Sequence, residues 1–383
     1  MMDNPFAKKL GFGLMRLPLN NPDDMTDIDR KTLQNMVDVF MERGFSYFDT
    51  AYVYGGSEEA IRETLVRRYP RDSFTLTSKL PIFAISTEEE QENVFQEQLQ
   101  RAGVDYFDIY LLHNVNVENY QTAQKLHTFS FLQQLKAEGK IKTLGISYHD
   151  NAELLDEVLT AHPEIEIILL QINYLDWDNP DIQSGKCYEV ARKHQIPVIV
   201  MEPLKGGTLA GVPKEAEKLF RQYNPDASPA SWAIRYAAGL DGVVMVLSGM
   251  STMDQMLDNT AYMQNFVPLN DEEHRIIKEA AAIITANIAV PCTTCGYCLD
   301  TCPENIPIPK YFSLYNNKMQ TIDLFYYPQQ QYYENYTKTY GKASDCIECG
   351  ACEEHCPQHL KIVDLLKDVA KAFEIPAPHE QTE

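Results

Sequence analysis

The chain has 383 residues, of which 44% are hydrophobic and 23% charged, proportions ordinary for a globular protein with room for one large and one small domain. Its formal net charge of −22 argues against nucleic acid as a partner, because phosphate binding needs clustered Lys and Arg. No apolar run approaches the length of a membrane-spanning helix, and residues 1–10 contain no apolar stretch typical of a signal peptide, so we expect a cytoplasmic protein without a membrane partner.

Short apolar segments recur about every 30 residues along the first three quarters of the chain, each followed by a polar, amphipathic stretch. The predicted strands are Gly11–Leu14, Ser46–Asp49, Thr75–Ser78, Phe107–Leu112, Thr143–Ile146, Ile167–Gln171, Pro197–Met201 and Val243–Leu247. The predicted helices are Asp29–Arg43, Ser57–Tyr69, Thr87–Ala102, Tyr120–Glu138, Ala152–Leu159, Ile182–His194, Ser228–Ala238 and Asp271–Ala286.

Eight alternations of strand and helix predict an α/β fold, a (β/α)8 TIM barrel over residues 1–286. A doubly wound sheet is the competing fold, and it would normally carry a G-x-G-x-x-G turn after an early strand. Gly11-Phe12-Gly13 lacks the third glycine of that pattern, so the barrel is favoured.

Eight of the nine cysteines form two copies of the pattern C-x2-C-x2-C-x3-C-P, the ligand run of bacterial two-cluster ferredoxins. The first copy consists of Cys292, Cys295, Cys298 and Cys302 before Pro303, and the second of Cys346, Cys349, Cys352 and Cys356 before Pro357. Structural zinc favours paired C-x2-C knuckles, and disulfides need an oxidising compartment, so both alternatives fit poorly.

The pattern therefore predicts two [4Fe–4S] clusters with crossed ligation, in which the fourth cysteine of each run binds the other cluster. Cys292, Cys295, Cys298 and Cys356 would hold one cluster, and Cys346, Cys349, Cys352 and Cys302 the other. The residues between the two runs have a helical spacing of apolar positions, so we expect residues 287–383 to form a small, mainly helical ferredoxin-like domain. The remaining cysteine, Cys187, is predicted to be a buried small apolar residue.

Chemistry in a barrel of this kind takes place at the carboxyl ends of the strands, where this sequence carries Asp49, Tyr54, Lys79 and His113. Several stretches around these positions resemble the aldo-keto reductase family. The matching stretches are Phe48–Gly55, Leu76–Lys79, Asp108–His113, Gly139–Ser147 and Pro203–Gly207. With its cysteine runs, the whole chain is similar to the branch of that family with a C-terminal domain of ferredoxin type.

The chemistry of these side chains agrees with that resemblance. Reduction of a carbonyl by hydride leaves an alkoxide that needs a proton, and Tyr54 can supply it as general acid. Lys79 would stabilise the phenolate and lower the pKa of Tyr54, and Asp49 would hold Lys79 through an ion pair. His113 would donate a hydrogen bond to the substrate carbonyl and orient it.

The resemblance also implies a nicotinamide nucleotide. Ser147 and Gln171 end their strands where the family binds the carboxamide, although Tyr148 and His149 follow the serine here where the family has asparagine next. The family's stacking tyrosine is replaced by Met201. The remaining nucleotide contacts implied by the resemblance are Pro203, Leu204, Gly206, Ser248, Gly249, Ser251, Gln255 and Asn259. No basic residue lies between Leu240 and His274 to pair with a 2′-phosphate, so NADH and NADPH both remain open.

Together these features predict an NAD(P)H-linked oxidoreductase that reduces a small-molecule carbonyl. A different class of function also remains open. A [4Fe–4S] cluster moves one electron and a hydride carries two, so the clusters could relay electrons between the barrel and a ferredoxin or flavoprotein partner. A third hypothesis, a non-catalytic sensing or binding scaffold, is disfavoured by the complete set of four polar residues.

Overall fold

A computed structural model describes residues 6–21, 24–180, 182–286, 289–292, 295–320, 328–356 and 358–374. The chain forms two compact units. The first comprises Met1–Leu204 and Phe220–Lys278, and the second comprises Lys205–Leu219 and Glu279–Glu383. The second unit thus includes a segment that lies between two barrel strands in sequence, whereas a single boundary at residue 287 had been predicted. Pro357, which follows the second cysteine run, lies outside the described residues.

The first unit is a closed barrel of eight parallel strands in sequential order, in which the last strand pairs with the first, as the sequence predicted. The strands are β1 Leu10–Gly13, β2 Tyr47–Asp49, β3 Thr75–Leu80, β4 Phe107–Val115, β5 Ile141–Tyr148, β6 Ile167–Gln171, β7 Val198–Met201 and β8 Val243–Gly249. The predicted fold class is therefore confirmed.

Two hydrophobic clusters follow from the period-two alternation of side chains along each strand. The inner cluster fills the barrel with side chains that include Tyr47, Leu111 and Leu169, and the outer faces of the strands pack against the helices. The filling is tight at Gly145, where an added Cβ would lie 2.5 Å from the carbonyl oxygen of Ile167. The interior is thus a packed core, and the same alternation carries inward-facing polar residues at the carboxyl ends.

The helices largely coincide with the predicted segments. Among the described residues the α-helices are α1 Arg30–Glu42, α2 Ser57–Ile61, α3 Glu88–Ala102, α4 Val117–Lys125, α5 Thr128–Ala137, α6 Ala152–Ala161, α7 Ser184–Lys193, α8 Lys214–Tyr223, α9 Pro229–Gly239, α10 Met253–Met263, α11 Asp271–Ala286, α12 Ile308–Gln320, α13 Pro328–Thr337, α14 Ala351–Glu354 and α15 Ile362–Phe373. None of the helices in these ranges is long and apolar enough to cross a membrane.

One predicted helix is wrong as a single element. The segment Tyr120–Glu138 forms two helices, α4 and α5, because His127 between them adopts a left-handed conformation with φ of 48°. An α-helix cannot continue through such a residue. Thr87, in contrast, begins α3 as predicted, because its side chain and Glu90 form a reciprocal capping box.

The second unit has its own core, which consists of apolar side chains from α12, α13 and α15 together with Val290 and Ile306. Tyr311 and Tyr333 pack with ring centroids 4.5 Å apart, and Tyr333 stacks on Phe373 at 4.8 Å. The described part of this unit contains helices and turns but no strand, in agreement with the predicted mainly helical domain.

Candidate active site and cysteine-lined cavities

The four residues singled out at the strand ends come together around the ammonium group of Lys79. Lys79 Nζ donates hydrogen bonds to Asp49 Oδ1 at 2.5 Å and to the carbonyl oxygen of Thr50 at 2.7 Å, and it lies 3.4 Å from the hydroxyl of Tyr54. Lys79 is 0% exposed and Asp49 only 3% exposed. A buried cation is thereby surrounded by three oxygen atoms, one of which belongs to the candidate acid.

The pKa values show how this group holds its protons. Burial raises the pKa of Tyr54 above its ordinary value, although the charge and hydrogen bond of Lys79 act in the opposite direction. The sequence analysis expected Lys79 to lower the pKa of Tyr54. That expectation is wrong, because burial raises this pKa by more than the cation lowers it. Burial alone would lower the pKa of Lys79, but Asp49 and Tyr54 raise it overall. At neutral pH the phenol is protonated and the amine charged.

His113 faces Tyr54, with the two rings perpendicular and their centroids 6.2 Å apart, and it also packs against Phe83. Burial first, and then the charge of Lys79 and the neighbouring His149, hold the pKa of His113 well below its ordinary value. Its Nδ1 atom makes no hydrogen bond to the described residues. A neutral imidazole beside a protonated phenol can offer a hydrogen bond to a substrate oxygen without adding a second buried charge.

The predicted carboxamide site places Ser147 and Gln171 at the ends of β5 and β6, both buried. Gln171 Nε2 donates to Asp176 Oδ2 at 3.1 Å, whereas its Oε1 is buried and accepts no hydrogen bond from the described part of the chain. A buried amide oxygen without a donor is costly, and the amide hydrogens of a carboxamide would satisfy it. These residues therefore fit a nicotinamide.

The sequence analysis missed His149 as a member of the site. Strand alternation places Ser147 and His149 on one face, and His149 Nε2 lies 3.2 Å from Ser147 Oγ. Tyr148, on the other face, is buried in the outer core and donates its hydroxyl to the carbonyl oxygen of Asn151. Burial and the charge of Lys79 lower the pKa of His149 to about 4, so this ring is neutral as well. The two-residue spacing of His149 from Ser147 could have indicated from the sequence that both side chains lie on the same face of β5.

The tract after β7 is only partly within the barrel unit. Met201 is partly buried against the interior cluster, Pro203 is buried and Leu204 packs against the outer core. Gly206 belongs to the second unit and has a positive φ of 61°. The contact of these residues with a nucleotide stays a prediction.

The residues predicted to bind the adenosine end of the nucleotide form hydrogen bonds with residues of their own segment. Asn259 Nδ2 donates to Ser248 Oγ at 2.9 Å, and the hydroxyl of Tyr262 donates to Asn259 Oδ1 at 2.7 Å. Gln255 Oε1 accepts a hydrogen bond from the backbone N–H of Ser251 at 2.7 Å and caps α10. Contact with adenine would require these side chains to exchange partners, and it stays a prediction.

Gly249 ends β8 and is exposed, while the hydroxyl of Ser251 donates to the carbonyl oxygen of Arg16 at 2.8 Å. The end of β8 is thus joined to the segment that follows β1.

A second buried carboxylate lies behind the site. Glu58 Oε1 accepts hydrogen bonds from Ser78 and from Gln98, each at 2.8 Å, and Gln98 also donates to the carbonyl oxygen of Lys79 at 3.2 Å. Burial raises the pKa of Glu58 to about 7, although both hydrogen bonds act in the opposite direction. This network supports the strand that carries Lys79 and changes its protonation near neutral pH.

Two cavities lie in the second unit, and each is lined by four cysteines. A cavity with an empty volume of about 320 Å³ is lined by Cys292, Cys295, Cys298 and Cys356. The other, of about 310 Å³, is lined by Cys302, Cys346, Cys349 and Cys352. In both, three cysteines come from one run and the fourth from the other. The grouping agrees with crossed ligation, and Ile308 lines both cavities.

The two runs also share their backbone geometry. Gly296 and Gly350 each follow the second cysteine of a run, with positive φ values of 82° and 76°. The backbone N–H of Ile306 lies 3.4 Å from Cys302 Sγ, a contact of the kind that stabilises a cluster ligand. Among the described residues, no group of three or more His, Cys, Asp or Glu is arranged to hold a single metal ion. Four thiols that line one cavity form a ligand set suited to an iron–sulfur cluster.

Comparison with known proteins gives two family matches. The profile described as "Aldo/keto reductase family" matches residues 9–282, and the profile described as "4Fe-4S dicluster domain" matches residues 291–360. These two matches span the barrel and both cysteine runs.

The individual relatives have low sequence identity to this chain. The chain is 26% identical over 304 residues to the NADH-specific methylglyoxal reductase of Escherichia coli, which covers 67% of this chain and 89% of that protein. It is 28% identical over 214 residues to aldo-keto reductase str7 of Strobilurus tenacellus, covering 54% of this chain but only 60% of the relative's length.

Solved structures give the same fold. The holo form of an aldo-keto reductase from Bacillus halodurans has a TM-score of 0.58 at 24% identity and covers 71% of this chain and 91% of its own. An aldo/keto reductase from Klebsiella pneumoniae in complex with NADP and acetate has a TM-score of 0.55 at 19% identity, covering 71% and 90%. At these identities the likeness is one of fold.

Replacement of Glu58 by Gln should change how stability depends on pH. The pKa of Glu58 is about 7 in the folded chain and 4.5 as its ordinary value, so the folded chain binds more protons in this window. The free energy of unfolding of the wild type should therefore fall as pH rises from 4.5 to about 7, by up to roughly 3 kcal/mol. The Glu58→Gln variant should lose this slope.

Tryptophan fluorescence in urea measures this effect, because both tryptophans, Trp177 and Trp232, belong to the barrel unit. Glu92→Gln, a change at an exposed glutamate, is the matched control and should keep the wild-type slope. Equal slopes in the wild type and Glu58→Gln would contradict the buried carboxylate.

Crossed ligation makes a prediction about which single cysteine variants resemble each other. Cys356→Ala and Cys295→Ala should give the same EPR and Mössbauer spectra, since both remove a ligand from one cavity. Cys302→Ala and Cys349→Ala should give the other shared spectrum. Ligation within each run would instead pair Cys302→Ala with Cys295→Ala. Iron content measured in each variant shows whether a whole cluster or one iron is lost.

Proposed function

Because the chain belongs to the aldo/keto reductase family and carries a 4Fe-4S dicluster domain, we propose that it is an NAD(P)H-linked reductase of a small-molecule carbonyl. It is an oxidoreductase by family. The observation that carries the finer proposal is the buried group of Asp49, Lys79, Tyr54 and His113, in which a charged amine lies 3.4 Å from a phenol.

Each side chain has a separate task. His113, neutral and adjacent to Tyr54, donates a hydrogen bond to the carbonyl oxygen and orients it. Tyr54 gives its proton to the alkoxide oxygen as the carbon is reduced. Lys79 then stabilises the phenolate, and Asp49 keeps the amine in place and balances its charge in the resting site. Burial excludes water, so each of these interactions is stronger than it would be in solvent.

When bound, a reduced nicotinamide supplies the hydride. Ser147 and Gln171 would hold its carboxamide, and the buried oxygen of Gln171 supports this assignment. Met201 offers a polarizable contact in place of an aromatic ring. A relative is named as NADH-specific, and a structural neighbour was solved with NADP, so both nucleotides belong in the tests. Methylglyoxal, named in the same relative, is a suitable first carbonyl.

The cysteine cavities support two [4Fe–4S] clusters, each held by three cysteines of one run and one of the other. When present, such clusters supply single electrons. The eight thiols need a reducing compartment, which supports a cytoplasmic location.

A second candidate function is electron relay, with a ferredoxin or flavoprotein as partner. The observation that favours it is the shared lining of the two cavities by Ile308, because adjacent clusters can exchange electrons. In this case electrons would pass between the barrel site and the clusters, in addition to any direct transfer from the nucleotide to the substrate.

The Tyr54→Phe variant tests the general acid. Loss of the proton donor should lower kcat for carbonyl reduction by about 10²–10⁴-fold while cluster absorbance stays unchanged. Tyr52→Phe is the matched control, because Tyr52 lies in the same loop but donates its hydroxyl to Glu97 at 2.8 Å. Wild-type activity in Tyr54→Phe would overturn the assignment.

Anaerobic titration with NADH and then NADPH separates the two candidate functions. For a self-contained reductase, nucleotide binding should leave the visible absorbance of the oxidised clusters unchanged and should produce no EPR signal of reduced clusters. Bleaching of the clusters by either nucleotide would favour the relay, because electrons would then have passed from the nucleotide to iron.

A further inference from the structure

Strand β4 contains an irregularity at His113. Leu112 and Val115 pair with residues of β5 that are only two positions apart, so β4 has two residues, His113 and Asn114, where β5 has one. An extra residue of this kind is a β-bulge, which is rare between parallel strands and common beside active sites, where it changes the direction of a side chain. His113 therefore lies within a bulge of its own strand.

The two hydrophobic clusters show the effect of the bulge on the faces of β4. Leu111 belongs to the cluster inside the barrel. Leu112 and Val115 both belong to the outer cluster, although residues three positions apart in a regular strand point to opposite faces. The bulge thus interrupts the alternation directly after His113, and the strand returns to its outer packing only at Val115.

Asn114 has the left-handed backbone conformation that allows the extra residue to fit. Its φ is 60°, and the residue is only 5% exposed. Asparagine tolerates this conformation better than most residues other than glycine, whereas a β-branched residue is strained in it. The Oδ1 atom of Asn114 is buried and accepts no hydrogen bond from the described part of the chain. The backbone conformation of Asn114, rather than its amide oxygen, is therefore what the bulge depends on.

A hydrogen bond from the next helix holds the bulge in place. Asn119 Nδ2 donates to the carbonyl oxygen of Asn114 at 2.6 Å, and both residues are buried. Asn119 lies in the first turn of α4, where its backbone N–H donates to Oδ1 of the capping residue Asn116 at 2.9 Å. The beginning of α4 thus fixes the backbone that follows His113.

The ring of His113 depends on this backbone for its direction. A hydrogen bond at the second ring nitrogen commonly orients a functional histidine. In His113, however, Nδ1 is buried and forms no hydrogen bond with the described residues. The ring packs on Tyr54 and Phe83 at centroid distances of 6.2 and 5.6 Å, and the charged or titratable groups that face it are Lys79, Tyr54 and His149. None of these contacts fixes the ring by a hydrogen bond at Nδ1.

We propose that Asn114 and Asn119 are positioning residues, which direct the imidazole of His113 towards the carbonyl oxygen of the substrate by holding the bulge of β4 in its conformation. Both residues act on the reaction through His113. The inference rests on the proposed reductase function for the task of the imidazole, but the place of the ring itself can be measured without turnover.

Replacement of Asn114 by Val and by Gly separates the role of the backbone from that of the side chain. Valine is β-branched and therefore strained at a positive φ, whereas glycine accepts this φ without any side chain. Asn114→Val should lower kcat/KM for carbonyl reduction about tenfold or more, because a small displacement of a reacting group is costly. Asn114→Gly should remain close to the wild type. Asn119→Ala, which removes the donor to the bulge, should change kcat/KM in the same direction as Asn114→Val.

Gln195→Val is the matched control for backbone strain. Gln195 also has a positive φ, of 57°, but it is exposed and lies between α7 and β7, at the amino end of the barrel strands. The same substitution there introduces comparable strain far from His113. Its kcat/KM should equal that of the wild type.

NMR of the imidazole nitrogens measures the place of the ring directly, in the full, cluster-loaded chain labelled at histidine, with His113→Gln to assign the signal. In the wild type the ring of His113 should stay neutral between about pH 5 and 8, because burial and Lys79 hold its pKa well below 6.5. In Asn114→Val and Asn119→Ala the ring should leave this buried place, so its pKa should rise towards 6.5. Asn114→Gly and Gln195→Val should titrate as the wild type does.

Two results would overturn the proposal. One is an unchanged titration of His113 in Asn114→Val, or in Asn119→Ala if the valine variant does not fold. The other is a change in Asn114→Gly as large as that in Asn114→Val, since the side chain and not the backbone would then be required. A ring displaced by valine and retained with glycine, in a chain whose wild type reduces no carbonyl, would support the positioning role and count against the proposed function.

Discussion

The buried ammonium group of Lys79 is the constraint on which the rest of the active site depends. Removal of a cation from water costs on the order of several kcal/mol unless other groups replace the solvent. Asp49, the carbonyl oxygen of Thr50 and the hydroxyl of Tyr54 supply that replacement. Burial first, and then the charge of Lys79, lower the pKa values of His113 and His149 and keep both rings neutral. Burial and the charge of one amine therefore act together on the protonation of the neighbouring side chains.

The support behind Lys79 extends through the strand into a second polar network. Ser78 and the carbonyl oxygen of Lys79 are bound by Glu58 and Gln98, which are themselves buried. The amine is thus fixed from the pocket side by ligands of its charge and from the outer side by hydrogen bonds to its strand. Such support from both sides preorganises the phenol and the imidazole for a developing negative charge.

Much of the fold and the side chains that meet in the candidate active site could be predicted from the sequence, because both depend on local patterns. Apolar strands at regular intervals indicate a barrel, and polar residues at their ends lie together once the barrel closes. The break of a helix at His127 left no such pattern, because a left-handed residue other than glycine is chosen by its surroundings. The ion pair between Arg16 and Glu202 could not be predicted, since Arg16 follows β1 and Glu202 follows β7, and only closure of the barrel brings the two together.

For the cysteine runs, the sequence predicted the grouping of the ligands but not their function. Their spacing alone indicated which sulfur atoms share a cavity, since a ligand run of this type has one geometry. The spacing carries no information about the direction of electrons, which depends on cluster potentials and therefore on hydrogen bonds and solvent access. The proposed barrel chemistry moves two electrons together and a cluster would move one, so the two parts of the chain need not act in the same turnover.

Transfer of deuterium from nicotinamide to product is the most direct test of the central claim, that the barrel reduces a carbonyl by hydride. The measurement uses NADH or NADPH with deuterium at the transferred position, a carbonyl substrate and mass spectrometry of the alcohol formed. The account predicts one deuterium on the former carbonyl carbon of each product molecule. An unlabelled alcohol formed while the reduced clusters reoxidise would contradict it.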